Sequence, residues 1–369
     1  MKDYSNLRVA SVQISYELEK KEDVFRVIYD DVYTRKILSI LHYLKGKADV
    51  VVFPELSIPF EMLYTLKEYV SSSPMMIIAG SHYIENKDLV EHSSLFDHHF
   101  QEDKDTRKSI CPVIIPNGTM FHIEKINPSK EEDIGFDEVG MTRGNIQSIF
   151  KVGDYNIGIM ICSDFLNDDL RNRIKSKSHL LIVPQYNLRM RRFYEIAESE
   201  FSNPNNTLHG IFLSNANIKL ESNSKDDSTN KERIGSAIFR NFSKRDQKLR
   251  EQEYGYHHAA LITGNEIKED IVILTTINLK GNSERTPSVW SEDDHPVDYM
   301  LVPILGTKEK LSVFTKLLNE SKDHESCVRV IQENRYLLEK ASNLLFERTK
   351  SLENKKLHEI KYRFQMILV

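Results

Sequence analysis

The chain has 369 residues, 40% hydrophobic and 28% charged, enough for one large α/β domain with an appendage or for two to three domains of the usual ~150 residues. Its 50 basic and 55 acidic residues leave a net charge of −5 and a pI near 6.3, which argues against a nucleic-acid coat or a basic membrane-surface protein. No apolar run has the ~18 residues of a membrane span, the first residues lack a secretory core, and Cys111, Cys162 and Cys327 are too scattered for a disulfide framework or a zinc cluster, so a reduced, cytoplasmic protein is expected.

In chain order, Leu7–Ile14 alternates as a strand does, and Val24 to Tyr43 carries apolar residues at helical spacing. Ala48–Phe53 is an apolar run of strand length ending at Pro54. Pro59 to Val70 reads as a helix and Met75–Ala79 as a strand stopped by Gly80. That order indicates a sheet with covering helices. The polar stretch near 86–107 reads as a loop insertion. Cys111–Ile115 and Met120–Ile123 flank Asn117-Gly118, a pair that supplies the positive-φ positions of a hairpin turn.

Ser148–Val152 and Tyr155–Ile161 form a second predicted hairpin around Gly153-Asp154. Strands are expected at Leu180–Val183, Ile211–Ala216, Gly235–Phe239 and Ile271–Asn278, with a helix at Leu188–Phe201. The segments Glu221–Glu232 and Lys244–Glu253 are polar and charged. From Lys308 the pattern turns helical, with stripes such as Leu311, Phe314, Leu317 and Leu318, while Ile360–Met366 alternates like a strand. The chain thus divides into 1–306 and a mainly helical extension, 307–369, suited to packing, oligomerisation or recruitment of a partner.

The chemistry-bearing residues stand at strand ends, where sheets with helical covers collect ligands. Glu55 follows Val51-Val52-Phe53-Pro54, Lys125 follows the second strand of the Asn-Gly hairpin, and Cys162 closes the run Ile157–Ile161. Singly, each has a plain structural reading: a core thiol, a helix-start carboxylate, a solvated ammonium. Jointly they supply a nucleophile, a base to take its proton, and a cation for the developing oxyanion.

The segments VVFPELSIP, FHIEKINP and YNIGIMICSDF resemble the three catalytic motifs of the nitrilase superfamily of carbon–nitrogen hydrolases, in order and with 70 and 37 residues between Glu55, Lys125 and Cys162. RVASVQI, IPNG, HLLIVP, FLSNAN and GSAIF extend the resemblance over roughly residues 7 to 280. It implies a four-layer α-β-β-α sandwich, commonly assembled into homo-oligomers, that needs no metal or organic cofactor. Glu55 would be the general base, Lys125 the oxyanion stabiliser and Cys162 the nucleophile of a thioester mechanism acting on an amide or carbamoyl amide, with true nitrile hydrolysis the lesser expectation. The family often adds a glutamate between lysine and cysteine. Glu138, six residues ahead of Gly144, is the choice here, with Glu131 and Glu132 in competition. Asp164 matches an acid with a structural role.

Ser163 stands where relatives commonly have an aromatic residue, and Gln185-Tyr186-Asn187 with Arg189, Arg191 and Arg192 replaces a run of small residues. Ser163, Asn187 and Arg189 are therefore expected at the substrate. The arginines would suit an anionic group or, alternatively, form a solvated face. Glu91, His92, Asp97, His98 and His99 crowd one segment without a zinc spacing, so no metal is expected. Nothing supports nucleotide binding, and a membrane acyltransferase or a glutamine-dependent NAD synthetase of this superfamily would need segments not found here. The alternative to an amide hydrolase is a binding or signalling module on the same fold, with weak or no catalysis.

Overall fold

The computed structural model describes residues 6–21, 24–80, 82–96, 107–129, 132, 141–187, 190–202, 208–218, 235–240, 270–278, 299–305 and 367–368. The Glu221–Glu232 and Lys244–Glu253 segments, and the extension from 307 apart from its last pair of described residues, lie outside these.

Two sheets stack face to face. The larger contains β1 (Asn6–Gln13), β4 (Val50–Val52), β5 (Met76–Ile78), β6 (His82–Glu85), β7 (Arg107–Ile114), β8 (Met120–Glu124), β14 (Ile271–Asn278), β15 (Tyr299–Leu305) and β16 (Ile367–Leu368). Its order is β16-β15-β14-β1-β4-β5-β7-β6, with β8 also paired to β7. The smaller runs β13-β12-β11-β10-β9, from Ala237–Arg240 through Gly210–Asn215, Leu180–Gln185 and Tyr155–Ile159 to Ile149–Val152. In both sheets the strands that lead into the site, β4, β10 and β11, pair in parallel with a neighbour, so their carboxyl ends are brought to a common edge.

Helices α1 (Asp31–Leu44) and α2 (Met62–Ser71) cover the outer face of the larger sheet through Ile37, Ile40, Leu41, Leu63 and Leu66, which meet Val51 and Ile77. Helices α4 (Asp168–Lys175) and α5 (Arg191–Ser202) cover the smaller sheet through Leu170, Ile174, Phe193 and Ala197. A short α3 (Asn86–Glu91) follows β6. Between the sheets, Val9, Val50, Val52 and Ile78 meet Ile157, Ile159, Ile182 and Phe212 with no exposure. This is the expected four-layer α-β-β-α sandwich.

Each such side chain contributes about 1.5–3 kcal/mol on burial, whereas a hydrogen bond contributes about 1 kcal/mol net. Packing therefore holds the sheets together, and polar links set how they align. Ser214 Oγ donates across the interface to Val12 O at 2.9 Å and Val52 O at 3.3 Å, and Tyr155 Oη donates to Ile277 O at 2.7 Å.

Three sequence expectations are corrected. Val24–Ile28 is not the start of a helix but a strand, β3, paired with β2 (Glu17–Lys21) in a separate hairpin. Its β-branched residues fit a strand, and α1 starts at its own cap, where Asp30 accepts from Tyr33 N. The 86–107 insertion is not all loop: it contains α3 and a 3₁₀ turn, Ser93–Leu95, whose Leu95 is buried beside Phe96. The helix expected from Leu188 begins at Arg191.

Gly80 ends β5 at φ +70°, and a Cβ there would lie 2.0 Å from Pro54 O. Only glycine permits this approach. Gly80→Ala is expected to cost about 2–3 kcal/mol, read by urea unfolding, and to displace the Pro54-Glu55 turn. An unchanged midpoint would contradict the contact.

Candidate active site

Glu55 leaves β4 at a turn that several groups pin. Leu56 has φ +61°, Ser57 Oγ donates to Pro54 O at 2.7 Å, and Tyr33 Oη donates to Ser57 O at 2.6 Å. Tyr16 Oη donates to the carbonyl of Glu55. The Glu55 carboxylate, only 3% exposed, accepts from Lys125 Nζ at 2.8 Å and from Tyr186 N at 3.1 Å.

Lys125 follows β8 with its backbone held on both sides: its N–H donates to Ser109 O and its carbonyl accepts from Gly144 N, each at 2.8 Å. Its ammonium is 1% exposed and lies between two carboxylates, donating to Glu55 Oε1 at 2.8 Å and Glu132 Oε1 at 2.7 Å. Glu132 is oriented in turn by Ser129 N, which donates to Oε2 at 2.6 Å. Burial alone would push the lysine towards neutrality; Glu55, Glu132 and the neighbouring Cys162 outweigh it and hold its pKa well above the usual range. The ammonium is permanent at any ordinary pH.

Cys162 follows β10 in a left-handed conformation, φ +43°, and opens a 3₁₀ turn through Leu166. Such a conformation is uncommon outside glycine and presents the thiol at the end of the strand. Cys162 is 6% exposed, and its thiol lies in the field of Glu55, Lys125 and Glu132. Burial first, then the charge of Glu55, push its pKa up, against the opposing pull of Lys125. At rest the thiol is protonated, with a carboxylate in place to accept its proton.

Two links bind the cysteine turn to the lysine segment. Asp164 accepts from Ile126 N at 3.0 Å and Asn127 N at 2.7 Å, and Ser163 Oγ donates to Asn127 O. Burial raises the Asp164 carboxyl to about 6 despite these backbone donors. The hydroxyl of Ser163, a residue expected at the substrate, joins the two loops. Asn187 sits at the same edge, its backbone gripped by the Asn215 amide through bonds of 2.9 and 2.8 Å.

Of the residues expected from sequence, Glu55, Lys125 and Cys162 converge. Glu138, Glu131 and Arg189 lie outside the described residues; the second carboxylate that the structure seats on Lys125 is Glu132. Asp97, His98 and His99 also lie outside them, while His92 packs on Phe60 and meets Tyr64 Oη through Nδ1. Tyr16 and Tyr186, whose rings are 5.7 Å apart, were not foreseen. Tyr16 acts through a carbonyl and Tyr186 through a backbone N–H, so side-chain chemistry in the sequence gave no sign of either.

No protein-family model matches the sequence, and no curated protein matches it. Solved structures do. The chain is similar to Nit3 of Saccharomyces cerevisiae, a member of branch 10 of the nitrilase superfamily, at 11% identity over 74% of this chain and 91% of that one, with a TM-score of 0.50. The fold is that of the nitrilase superfamily. Further nitrilase-fold neighbours are XC1258 of Xanthomonas campestris, a CN-hydrolase superfamily protein with an arsenic adduct in its active site (13% identity, 74% and 91% of the two chains, TM-score 0.46), and an amidase from Nesterenkonia sp. AN1 in complex with acrylamide (10%, 58% and 78%, 0.39).

Within this nitrilase fold, Glu124 braces Lys125. Its carboxylate accepts from Lys108 Nζ and Asn145 N at 2.8 Å each, and its backbone pairs with Ile146. Burial opposes its ionisation, but His122, Lys108 and the Asn145 N–H together lower the pKa from 4.5 to about 2. The unfolded chain therefore binds the extra proton first, and the stabilisation is full above pH 4.5 and lost as pH falls towards 2. The stability gap between wild type and Glu124→Gln is expected to narrow across that window, measured by urea unfolding at stepped pH; a constant gap would refute the ionised clamp.

Glu55→Gln removes the charge that keeps the thiol protonated and leaves Lys125, which favours thiolate. Iodoacetamide should then alkylate Cys162 about tenfold faster at pH 8 than in wild type. Slower alkylation would mean that the charge of Glu55 is not what keeps the thiol protonated at rest.

Proposed function

We propose that the protein is a thiol-dependent hydrolase of a non-peptide carbon–nitrogen bond, acting on an amide or carbamoyl amide. The observation that carries this reading is the seating of Lys125 Nζ between Glu55 and Glu132, with Cys162 near enough for the charges of all three to act on its thiol. A buried cation with two counter-charges beside a protonated thiol and its acceptor has the parts that acyl transfer needs.

In the proposed reaction Glu55 takes the thiol proton as Cys162 Sγ attacks the carbonyl carbon. The carbonyl π electrons move to oxygen, and Lys125, with the Ser163 backbone N–H, stabilises the oxyanion. As the intermediate collapses, the carbon–nitrogen bond breaks and Glu55 returns the proton to the departing nitrogen, so ammonia or an amine leaves and a thioester remains. Glu55 then draws a proton from water, hydroxide equivalent adds to the thioester carbon, and the acid is released as sulfur recovers its proton. Glu132 keeps the ammonium aimed and charged throughout. Asn187, just past the end of β11, and Arg189 are proposed to contact the rest of the substrate.

Release of ammonia or amine from a panel of aliphatic, aromatic and carbamoyl amides, with nitriles alongside, tests the reading. Wild type is expected to turn over at least one amide. Cys162→Ala should fall to background, Glu55→Gln should lose about 10²–10⁴-fold, and Lys125→Met about 10²–10³-fold. Glu132→Gln should lose about 10–100-fold, mostly in kcat. Undiminished turnover by Cys162→Ala would end the proposal.

A further inference from the structure

The left-handed backbone of Cys162 persists only where its surroundings over-determine it. A five-residue 3₁₀ turn supplies few bonds of its own: Asp164 N donates to Ile161 O at 3.0 Å and Asn167 N to Asp164 O at 3.1 Å. Asp164 and Ser163 fasten the turn to the lysine segment. A second fastening comes from the helical layer, and it is made by Arg171 of α4.

Arg171 is 7% exposed, and three of its nitrogens are engaged. Nη1 donates to the carbonyl of Phe165 at 2.7 Å, Nε to Glu200 Oε1 at 2.9 Å and Nη2 to Asp168 Oδ1 at 2.6 Å. The two carboxylates carry unequal weight. The Asp168 side chain is 78% exposed, so water screens that pair. Glu200, on α5, is buried, and its second oxygen accepts from Lys175 Nζ at 2.7 Å.

Phe165, three residues past Cys162, is held twice over. Its carbonyl takes the Nη1 bond, and its ring lies 5.5 Å from the guanidinium carbon. The same ring stacks on Phe193 of α5 at 6.0 Å, the planes 14° apart. Phe165 is fully buried, so no water competes for either grip. An arginine suits the place because its planar fork serves a carbonyl and a carboxylate at once, where a lysine brings one nitrogen on a flexible stem.

We propose that Arg171 is a positioning residue for the Cys162 nucleophile: through the Phe165 carbonyl it fixes the backbone of the cysteine turn, and Glu200 fixes Arg171 against α5. The inference rests on the reading of Cys162 as the nucleophile of an acyl transfer. Arg171 acts through Phe165, not at a reacting atom. Once the turn is released, the thiol leaves the line of attack and also the desolvating setting that keeps it protonated. Turnover then falls while the thiol becomes easier to alkylate, two changes of opposite sign that lost stability alone does not produce.

The test compares full-length wild type with Arg171→Lys, which keeps a cation beside Glu200 but loses the fork. On an amide that wild type turns over, kcat should fall about ten- to a hundredfold with KM little changed. Iodoacetamide should alkylate Cys162 about threefold faster at pH 8, read by peptide mapping. Glu200→Gln, which leaves an oxygen for Nε, should move both readings the same way by less, and it supplies the test if Arg171→Lys does not fold. Asp168→Asn, which touches only the exposed pair, should match wild type in both. A lowered urea midpoint with kcat and alkylation unchanged would make Arg171 structural only and overturn the proposal, and slower or unchanged alkylation beside a reduced kcat would overturn it as well. Alkylation needs no turnover, so if wild type cleaves no amide the hydrolase reading fails while the hold of Arg171 on the cysteine turn is still decided.

Discussion

A lysine ammonium with 1% exposure is the constraint around which this structure is arranged. Taking a cation out of water costs several kcal/mol, and the cost is met only where counter-charges and hydrogen bonds replace the hydration shell. Here Glu55 and Glu132 do so from opposite sides of the sequence, one after β4 and one beyond β8. Removing one carboxylate would leave the ammonium with a single counter-charge in place of two. The same pairing that steadies the fold thus fixes a proton acceptor beside a thiol and keeps a positive charge within reach of it.

Rigidity around that ion pair comes from the backbone. Lys125 is clamped by Ser109 and Gly144, Glu55 by Tyr16 and Tyr186, and the cysteine turn by Asp164 and Ser163. Gly144 is needed for its part: a Cβ there would stand 2.3 Å from Glu124 Cβ. These groups touch no reacting atom, yet each decides where one does. A site that must hold distances to a fraction of an ångström uses such supports.

Much of this was legible before any coordinates. Alternating and continuous apolar runs placed β1, β4, β5, β7, β8, β10, β12 and β14, because a buried strand announces itself by composition. Glu55, Lys125 and Cys162 stood out by their combination, a nucleophile, a base and a cation at three strand ends, because each alone has a plain structural reading. The hairpin strand β3 was misread because Val27, Ile28 and Val32 share a helical spacing that a five-residue strand can mimic. Helix α4 escaped notice since Asp168, Asp169, Arg171, Asn172 and Arg173 leave only Leu170 and Ile174 to mark its buried face. Spacing along the chain does not distinguish Glu131, Glu132 and Glu138; that Glu132 reaches Lys125 and takes the bond from Ser129 are properties of the folded loop.

The central claim is that Cys162, Glu55 and Lys125 form one acyl-transfer unit, and its most direct test is the mass of the intermediate. Wild-type protein mixed with the amide panel, acid-quenched within the first turnover and measured intact, should gain the mass of the acyl group. That gain should map to Cys162, and the thioester should be released by hydroxylamine. Hydrolysis proceeding without any adduct on Cys162, or an adduct that maps to Cys111 or Cys327 instead, would contradict the account.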